Sequence, residues 1–256
     1  MPCARNYEMR RQRALALVEL LVALALGGFL VLGITQLFLD GKRHYGVQQG
    51  QLANQENARL AIQLISRLVA QAGYRTRPEQ DSPEAAFGAM PASGGCPAFA
   101  SGQSIALAHA GDGRRAELCV RYQRGFEAQE ADCTGNPLAF SAQPLNVVAR
   151  LSFDSLAGEL GCASRVESAV GFASSSVLVD GLLDFQFQPL PRPRDPLQAI
   201  GIALLFASEQ HAADGIASER PEHWRALSGR RLELPAGDHR LLHLSQLSLA
   251  LRSIGP

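Results

Sequence analysis

The sequence predicts an α+β fold in which one long N-terminal helix, transmembrane and then amphipathic, packs on an antiparallel β-sheet. Three observations predict it: a long apolar run near the N-terminus, an apolar stripe at helical spacing that follows it, and short β-type segments in the second half. The chain has 256 residues, 46% of them hydrophobic, which is enough to bury a core.

The charge of the chain is balanced overall but not locally. The formal net charge is zero, which argues against direct binding of nucleic acid, because that affinity comes largely from a basic surface. Residues 1–14 carry four arginines and one glutamate, a net charge of +3, so the remaining 242 residues carry −3. Positive charge directly before an apolar run is typical of the cytoplasmic side of a membrane anchor.

Residues 15–39 form the apolar run, LALVELLVALALGGFLVLGITQLFL, with Glu19 as its one ionisable group. As a helix this run is about 37 Å long, enough to cross a bilayer. A secretory signal peptide has a shorter apolar core, so we expect an anchor that is retained. A carboxylate inside a membrane helix is costly, which makes Glu19 a candidate functional residue.

Residues 40–73 continue the helix in polar form as the periplasmic half of a helical spine. Glutamine and asparagine dominate residues 48–57, and apolar residues then recur at three- and four-residue steps from Ala58 to Ala72. Gly73 is the predicted C-cap. We expect the apolar stripe to pack on a sheet.

Residues 74–256 are predicted to form a β-rich head. Residues 75–104 have loop composition, rich in Pro, Gly, Ser and Ala. The segments of strand character are Ser104–Ala108, Glu117–Tyr122, Val147–Phe153, Val177–Val179, Leu183–Phe187, Ile200–Phe206 and Leu241–Arg252. Irregular inserts are predicted at Pro189–Pro196 and His211–Ser228.

Five cysteines are present, and Cys3 lies in the basic leader. The other four are Cys96, Cys119, Cys133 and Cys162, without the spacing of a zinc site. Two disulfides formed in an oxidising compartment are therefore expected, and the residues alone leave all three pairings open.

Catalytic and cofactor-binding patterns were sought, and none is predicted. The chain has no GxSxG, GxxxxGK[ST], HExxH or GxGxxG. His239 and His243 lie four residues apart without a convergent third ligand, so no metal site is expected. Ser208, His211 and Asp214 are interpreted as loop residues. Trp224 is expected in the core rather than on a contact surface.

The N-terminal segment from Arg10 to Leu24, RRQRALALVELLVAL, resembles the leader and helix start of type IV prepilins and pseudopilins. The resemblance implies a pilin-like fold, cleavage by a prepilin peptidase between Ala14 and Leu15, and N-methylation of Leu15. It places Glu19 at mature position five, the assembly residue. The sequence departs from the family at the cut, where Gly usually precedes and Phe usually follows.

The sequence of the helical spine resembles one group of type IV pilins more closely than the others. Its segment QENARLAIQLISRLVAQAGYR, which ends at Arg75, is similar to the PilW-type minor pilins, and weaker similarity continues through the head. That resemblance implies a bridge between Cys133 and Cys162, which leaves Cys96 with Cys119.

The function implied is that of a minor pilin that primes type IV pilus assembly and lies at or near the tip. Its expected partners are other minor pilins, the major pilin, the prepilin peptidase, the assembly platform and a tip adhesin. The chain would cross the inner membrane once, with a periplasmic C-terminal domain, and then enter the pilus. A J-type pseudopilin of type II secretion is the alternative. A membrane-tethered periplasmic enzyme is a third, disfavoured because it leaves Glu19 unexplained.

Overall fold

The computed structural model describes residues 5–110, 113–124, 131–137, 143–169, 171–172, 175–192, 195–211, 220–232, 234 and 238–251. By its internal contacts the chain divides into two compact units, residues 1–49 and 50–256. The basic leader before residue 5 and the C-terminal residues 252–256 lie outside the described part.

Helix α1 runs from Arg5 to Ala70, 66 residues. It is longer than predicted because it begins inside the basic leader, where Arg, Met, Gln and Ala are good helix formers. It ends where predicted: Gly73 adopts φ 70°, a left-handed conformation that glycine tolerates without strain. A short helix α2, Pro83–Ala86, follows in the predicted loop region and is capped by Ser82.

The described residues of the head form eight strands in two antiparallel sheets, where the sequence predicted one sheet. Sheet 1 has the order β1-β2-β3-β4-β5 and sheet 2 the order β6-β7-β8. Sheet 1 consists of β1 Ile105–His109, β2 Arg115–Arg124, β3 Leu145–Asp154, β4 Glu159–Val166 and β5 Ser176–Val179. Sheet 2 consists of β6 Leu182–Arg192, β7 Asp195–His211 and β8 Arg240–Ala250. The α+β class is confirmed.

The two predicted irregular inserts are partly wrong. Strand β6 continues to Arg192 and β7 begins at Asp195, so most of Pro189–Pro196 is strand. Strand β6 is an edge strand, where a proline without an N–H group costs no ladder hydrogen bond on the outer side. The second insert contains helix α3, Arg220–Ser228, whereas residues 212–219 lie outside the described residues.

The main core lies between α1 and both sheets. The predicted stripe provides the helix side of this core: Ala58, Ala61, Ile65, Leu68, Val69 and Ala72 are all buried. Inward-facing residues of β2, β3, β6 and β7 meet them, including Leu118, Leu151, Phe185 and Phe206. The helix therefore packs on antiparallel strands as the sequence predicted.

Candidate assembly surface

The predicted processing and assembly residues all lie on α1. The backbone of Ala14 and Leu15 is helical, and their side chains lie outside the described residues. Glu19 is exposed, and so are its neighbours Val18 and Leu20. Within the described part of the chain, Glu19 has no hydrogen bond or ion pair, so its charge is uncompensated there.

The helix presents an uncovered apolar surface from Val18 to Leu39. Fourteen of its large hydrophobic side chains are exposed, with Phe29 at 78% and Leu37 at 75%. Among the described residues this is the one helix long and apolar enough to cross a membrane, with a mean hydropathy of 2.3 over its most apolar window. A contiguous apolar surface of this size requires a lipid or protein environment.

Two asparagines of the spine bind the head. Asn54 is buried, and its Nδ2 donates to the carbonyl oxygen of Leu241 in β8 at 2.9 Å. Asn57 Nδ2 donates to Oδ1 of Asp180, between β5 and β6, at 2.9 Å. The sequence indicated only a polar stretch here, and no signal distinguished these two residues from their exposed glutamine neighbours.

The turn after α1 docks on strand β2. The amide of Gly73 donates to the carbonyl of Arg121 at 2.9 Å, and the amide of Gln123 donates to the carbonyl of Tyr74 at 2.8 Å. The side chain of Gln123 in turn accepts from the amide of Thr76. The Ala-Gly-Tyr-Arg turn thus extends sheet 1 beyond the N-terminal end of β1, alongside β2.

Each face of sheet 1 carries one disulfide. Cys133–Cys162 lies on the face that packs against the spine, with a Cα–Cα distance of 6.2 Å. Cys96–Cys119 lies on the opposite face, with a Cα–Cα distance of 5.8 Å, and joins the loop before β1 to β2. This is the pairing that the family resemblance implied.

The outer face of sheet 1 buries charge beneath the loop that Cys96 anchors. The Arg121 side chain is fully buried between the rings of Phe87 and Phe99, 5.3 and 5.1 Å from their centroids. Its Nη2 lies 2.9 Å from Oε1 of Glu167. Burial lowers the pKa of Arg121, and Glu167 opposes that shift. The cation–π contacts thus hold the loop against sheet 1, and the ion pair joins Arg121 to the residue that follows β4.

A second buried charge fastens α3 to sheet 2. Asp184 of β6 accepts from Trp224 Nε1 at 3.0 Å and lies 3.1 Å from Arg230 Nη1. The same guanidinium donates to the carbonyl of Gly113 in the β1–β2 turn at 2.7 Å. Burial raises the pKa of Asp184, whereas its hydrogen bonds and Arg230 lower it. Trp224 is fully buried, as the sequence predicted.

The histidines, serine and aspartate singled out in the sequence do not form a metal site among the described residues. The described residues contain no group of three His, Cys, Asp or Glu side chains placed to hold a metal. His239 and His243 both have other interactions, and Ser208 accepts from the amide of Leu241 at 2.9 Å. His211 ends β7, and Asp214 lies outside the described residues.

Comparison with known proteins identifies the N-terminal region. The family profile described as the prokaryotic N-terminal methylation motif matches residues 9–35, which include Ala14, Leu15 and Glu19. No curated protein matches the sequence. Among solved structures, a type IV-like pilin, TTHA1219 from Thermus thermophilus, is similar with a TM-score of 0.46 and 12% identity, over 78% of this chain and 97% of that chain. The chain therefore carries an N-terminal methylation motif at the start of its apolar helix.

Proposed function

We propose that this chain is a minor pilin of a type IV pilus, of the PilW type, which primes assembly and lies at or near the tip. The observation that carries the proposal is the methylation motif at residues 9–35, placed on a helix whose apolar surface is exposed from Val18 to Leu39. The head has a buried core of its own, and the apolar surface from Val18 to Leu39 is available for lipid before assembly and for neighbouring subunits afterwards.

The first step is insertion and processing. Arg10, Arg11 and Arg13 stay in the cytoplasm, the helix crosses the inner membrane, and the head enters the periplasm, where its disulfides form. Prepilin peptidase then cuts between Ala14 and Leu15 and methylates the new N-terminus of Leu15. Cleavage removes the arginines that hold the chain at the cytoplasmic face and creates one α-amino group.

The second step is docking through Glu19. In a lipid-free core of packed helices, an unpaired carboxylate is costly. The α-amino group of Leu15 in an adjacent subunit supplies the missing cation when the two helices are in register. Removal of one partner of a buried ion pair costs about 3–5 kcal/mol. Helices packed out of register, which leave Glu19 unpaired, are therefore strongly disfavoured.

The head supplies partner choice. In this proposal the role of the head is structural. Its partners are other minor pilins, the major pilin and the assembly platform, with a tip adhesin as a further candidate. Because both disulfides brace sheet 1, the surface that meets these partners keeps its shape outside the cell.

Glu19→Ala tests the proposal. We expect the variant to insert into the membrane normally but to decrease at least about tenfold in sheared filaments, because the buried pair is lost. Val18→Ala is the matched control, since it changes an exposed neighbour without changing charge. Equal amounts of Glu19→Ala and wild-type chain in filaments would contradict the proposed role.

A deletion strain separates pilus from secretion functions. We expect loss of surface pili with type II secretion intact. Loss of secretion with normal pili would instead favour the J-type pseudopilin.

A further inference from the structure

A groove opens between the C-terminal end of α1 and the loop at residues 131–135. Its volume is about 280 Å³, and its apolar lining comes from Leu64, Leu68, Leu151 and Leu178. This is just below the roughly 300–1,000 Å³ typical of sites for small-molecule ligands, so the groove suits one or two side chains better than a cofactor.

The rim of the groove carries a positive charge that has no ion-pair partner among the described residues. Arg67 lines it, is exposed, and has no hydrogen bond or ion pair within the described part of the chain. The acid that also lines the groove, Asp132, is already engaged: its carboxylate accepts from Thr134, Asn136 and Ser164. These hydrogen bonds outweigh burial and lower the pKa of Asp132. An occupant that brings its own carboxylate would therefore complement Arg67.

The same chain has a turn between β3 and β4, residues 154–159, that offers both an apolar side chain and a carboxylate. We call this turn the hairpin tip. Leu156 is 72% exposed there. Its turn is well ordered by hydrogen bonds, since the amides of Leu156 and Ala157 both donate to Oδ1 of Asp154. The side chain of Glu159, three residues later, has no hydrogen bond or ion pair within the described residues. An apolar side chain thus lies close in sequence to an available carboxylate.

The two features lie at different heights along the spine. The hairpin tip lies beside the part of the helix that contains Asn57. The carbonyl of Gly158 in the tip accepts from the amide of Leu182, and Asp180, two residues before Leu182, accepts from Asn57. The groove lies at residues 64–71. About ten residues of helix separate the levels, which corresponds to about 15 Å. Parallel subunits staggered by that distance would bring the hairpin tip of one to the groove of the next.

We propose that the groove binds the hairpin tip of a second copy of this chain, with Leu156 inserted and Glu159 facing Arg67. The stagger in this argument rests on the proposed function, since it requires parallel packing through the N-terminal helix. The contact joins two different surfaces and does not close on itself, so it can link copies that lie side by side in the assembly near the tip. It requires that at least two copies lie next to each other.

Site-specific photo-crosslinking in cells tests the contact. Full-length chain with p-benzoylphenylalanine at position 156 is expressed together with a differently tagged copy, and membranes and sheared filaments are irradiated. We expect a crosslinked species that carries both tags, with the crosslink mapped by mass spectrometry to residues 64–71 or 131–135.

Charge exchange makes the test specific. Arg67→Glu in the receiving copy should lower the crosslinked fraction about fivefold, and Glu159→Arg in the donating copy should restore it. Arg59→Glu is the matched control, since Arg59 is exposed on the same helix but does not line the groove.

Three results would overturn the contact: no species with both tags although the chain is present in filaments, a crosslink to a different protein only, or a crosslink that Arg67→Glu leaves unchanged. Crosslinking at the groove in membranes, with the chain absent from filaments, would support the contact and contradict the proposed function instead.

Discussion

The two halves of helix α1 both carry large apolar side chains, but in opposite surroundings. From Val18 to Leu39 its large apolar side chains are exposed, whereas from Ala58 to Ala72 its apolar stripe is buried against two sheets. Polar groups differ in the same way: Asn54 and Asn57 have partners in the head, and Glu19 has none among the described residues. Burial of one large apolar side chain contributes about 1.5–3 kcal/mol to stability. The exposed side chains of the first half gain this contribution only when lipid or another protein covers them.

Truncation of one large apolar side chain in each half of α1 tests the difference between the halves most sharply. Ile65 is fully buried, so Ile65→Ala should lower the free energy of unfolding of the head by about 2–5 kcal/mol. Leu30, 67% exposed, is the matched position, and Leu30→Ala should change it by less than about 0.5 kcal/mol. Urea unfolding of the full chain in detergent, followed by fluorescence of Trp224, measures both. Equal losses would mean that the two halves do not differ as described.

A polar substitution gives a smaller effect. Asn54→Ala removes the hydrogen bond to Leu241, and we expect it to destabilise the head by about 0.5–1.5 kcal/mol. Gln55→Ala, next to it and exposed, should be nearly neutral. The same urea titration distinguishes them, and a neutral Asn54→Ala would remove Asn54 as a tie between spine and β8.

The smallest effect concerns pH and the buried carboxylate of Asp184. Because the pKa of Asp184 is raised, mainly by burial, the folded protein holds this proton more tightly than the unfolded chain does. Its contribution to stability is therefore greatest below pH about 4, the unfolded pKa, and is lost as the pH rises through the raised pKa.

Comparison with Asp184→Asn isolates this contribution. The unfolding free energy of the wild type minus that of the variant should decrease as the pH rises from about 4 and then become constant. Thermal or urea unfolding of both proteins across this range measures it, and a difference that grows with pH would show that the assigned direction is wrong.

The sequence predicted the spine because its signals are local. Apolar spacing from Ala58 to Ala72 and a glycine at position 73 need no knowledge of the rest of the chain. The arrangement of strands was not predictable in the same way, since period-two alternation is identical whether strands share one sheet or form two. Strand β4 was missed as a strand because ELGCASRV is poor in the β-branched and aromatic residues that mark strands.

The buried charges were also not predictable from local sequence signals. Arg121 alternates with apolar residues along β2, a pattern typical of an outward, solvated side chain, yet the loop with Phe87 and Phe99 covers it. Helix α3 could have been found, because Pro221 and Glu222 at its start are ordinary helix-start signals. Its anchoring through Asp184 could not, because that contact joins residues 40 positions apart.

The central claim is that the apolar half of α1 is a processed assembly helix, and mass spectrometry of the mature N-terminus tests it most directly. Chain purified from membranes with an active prepilin peptidase should begin at N-methylated Leu15, with residues 1–14 removed. A chain that begins at Met1, or at an unmodified residue elsewhere, would contradict the account and leave residues 15–39 as an ordinary membrane tether.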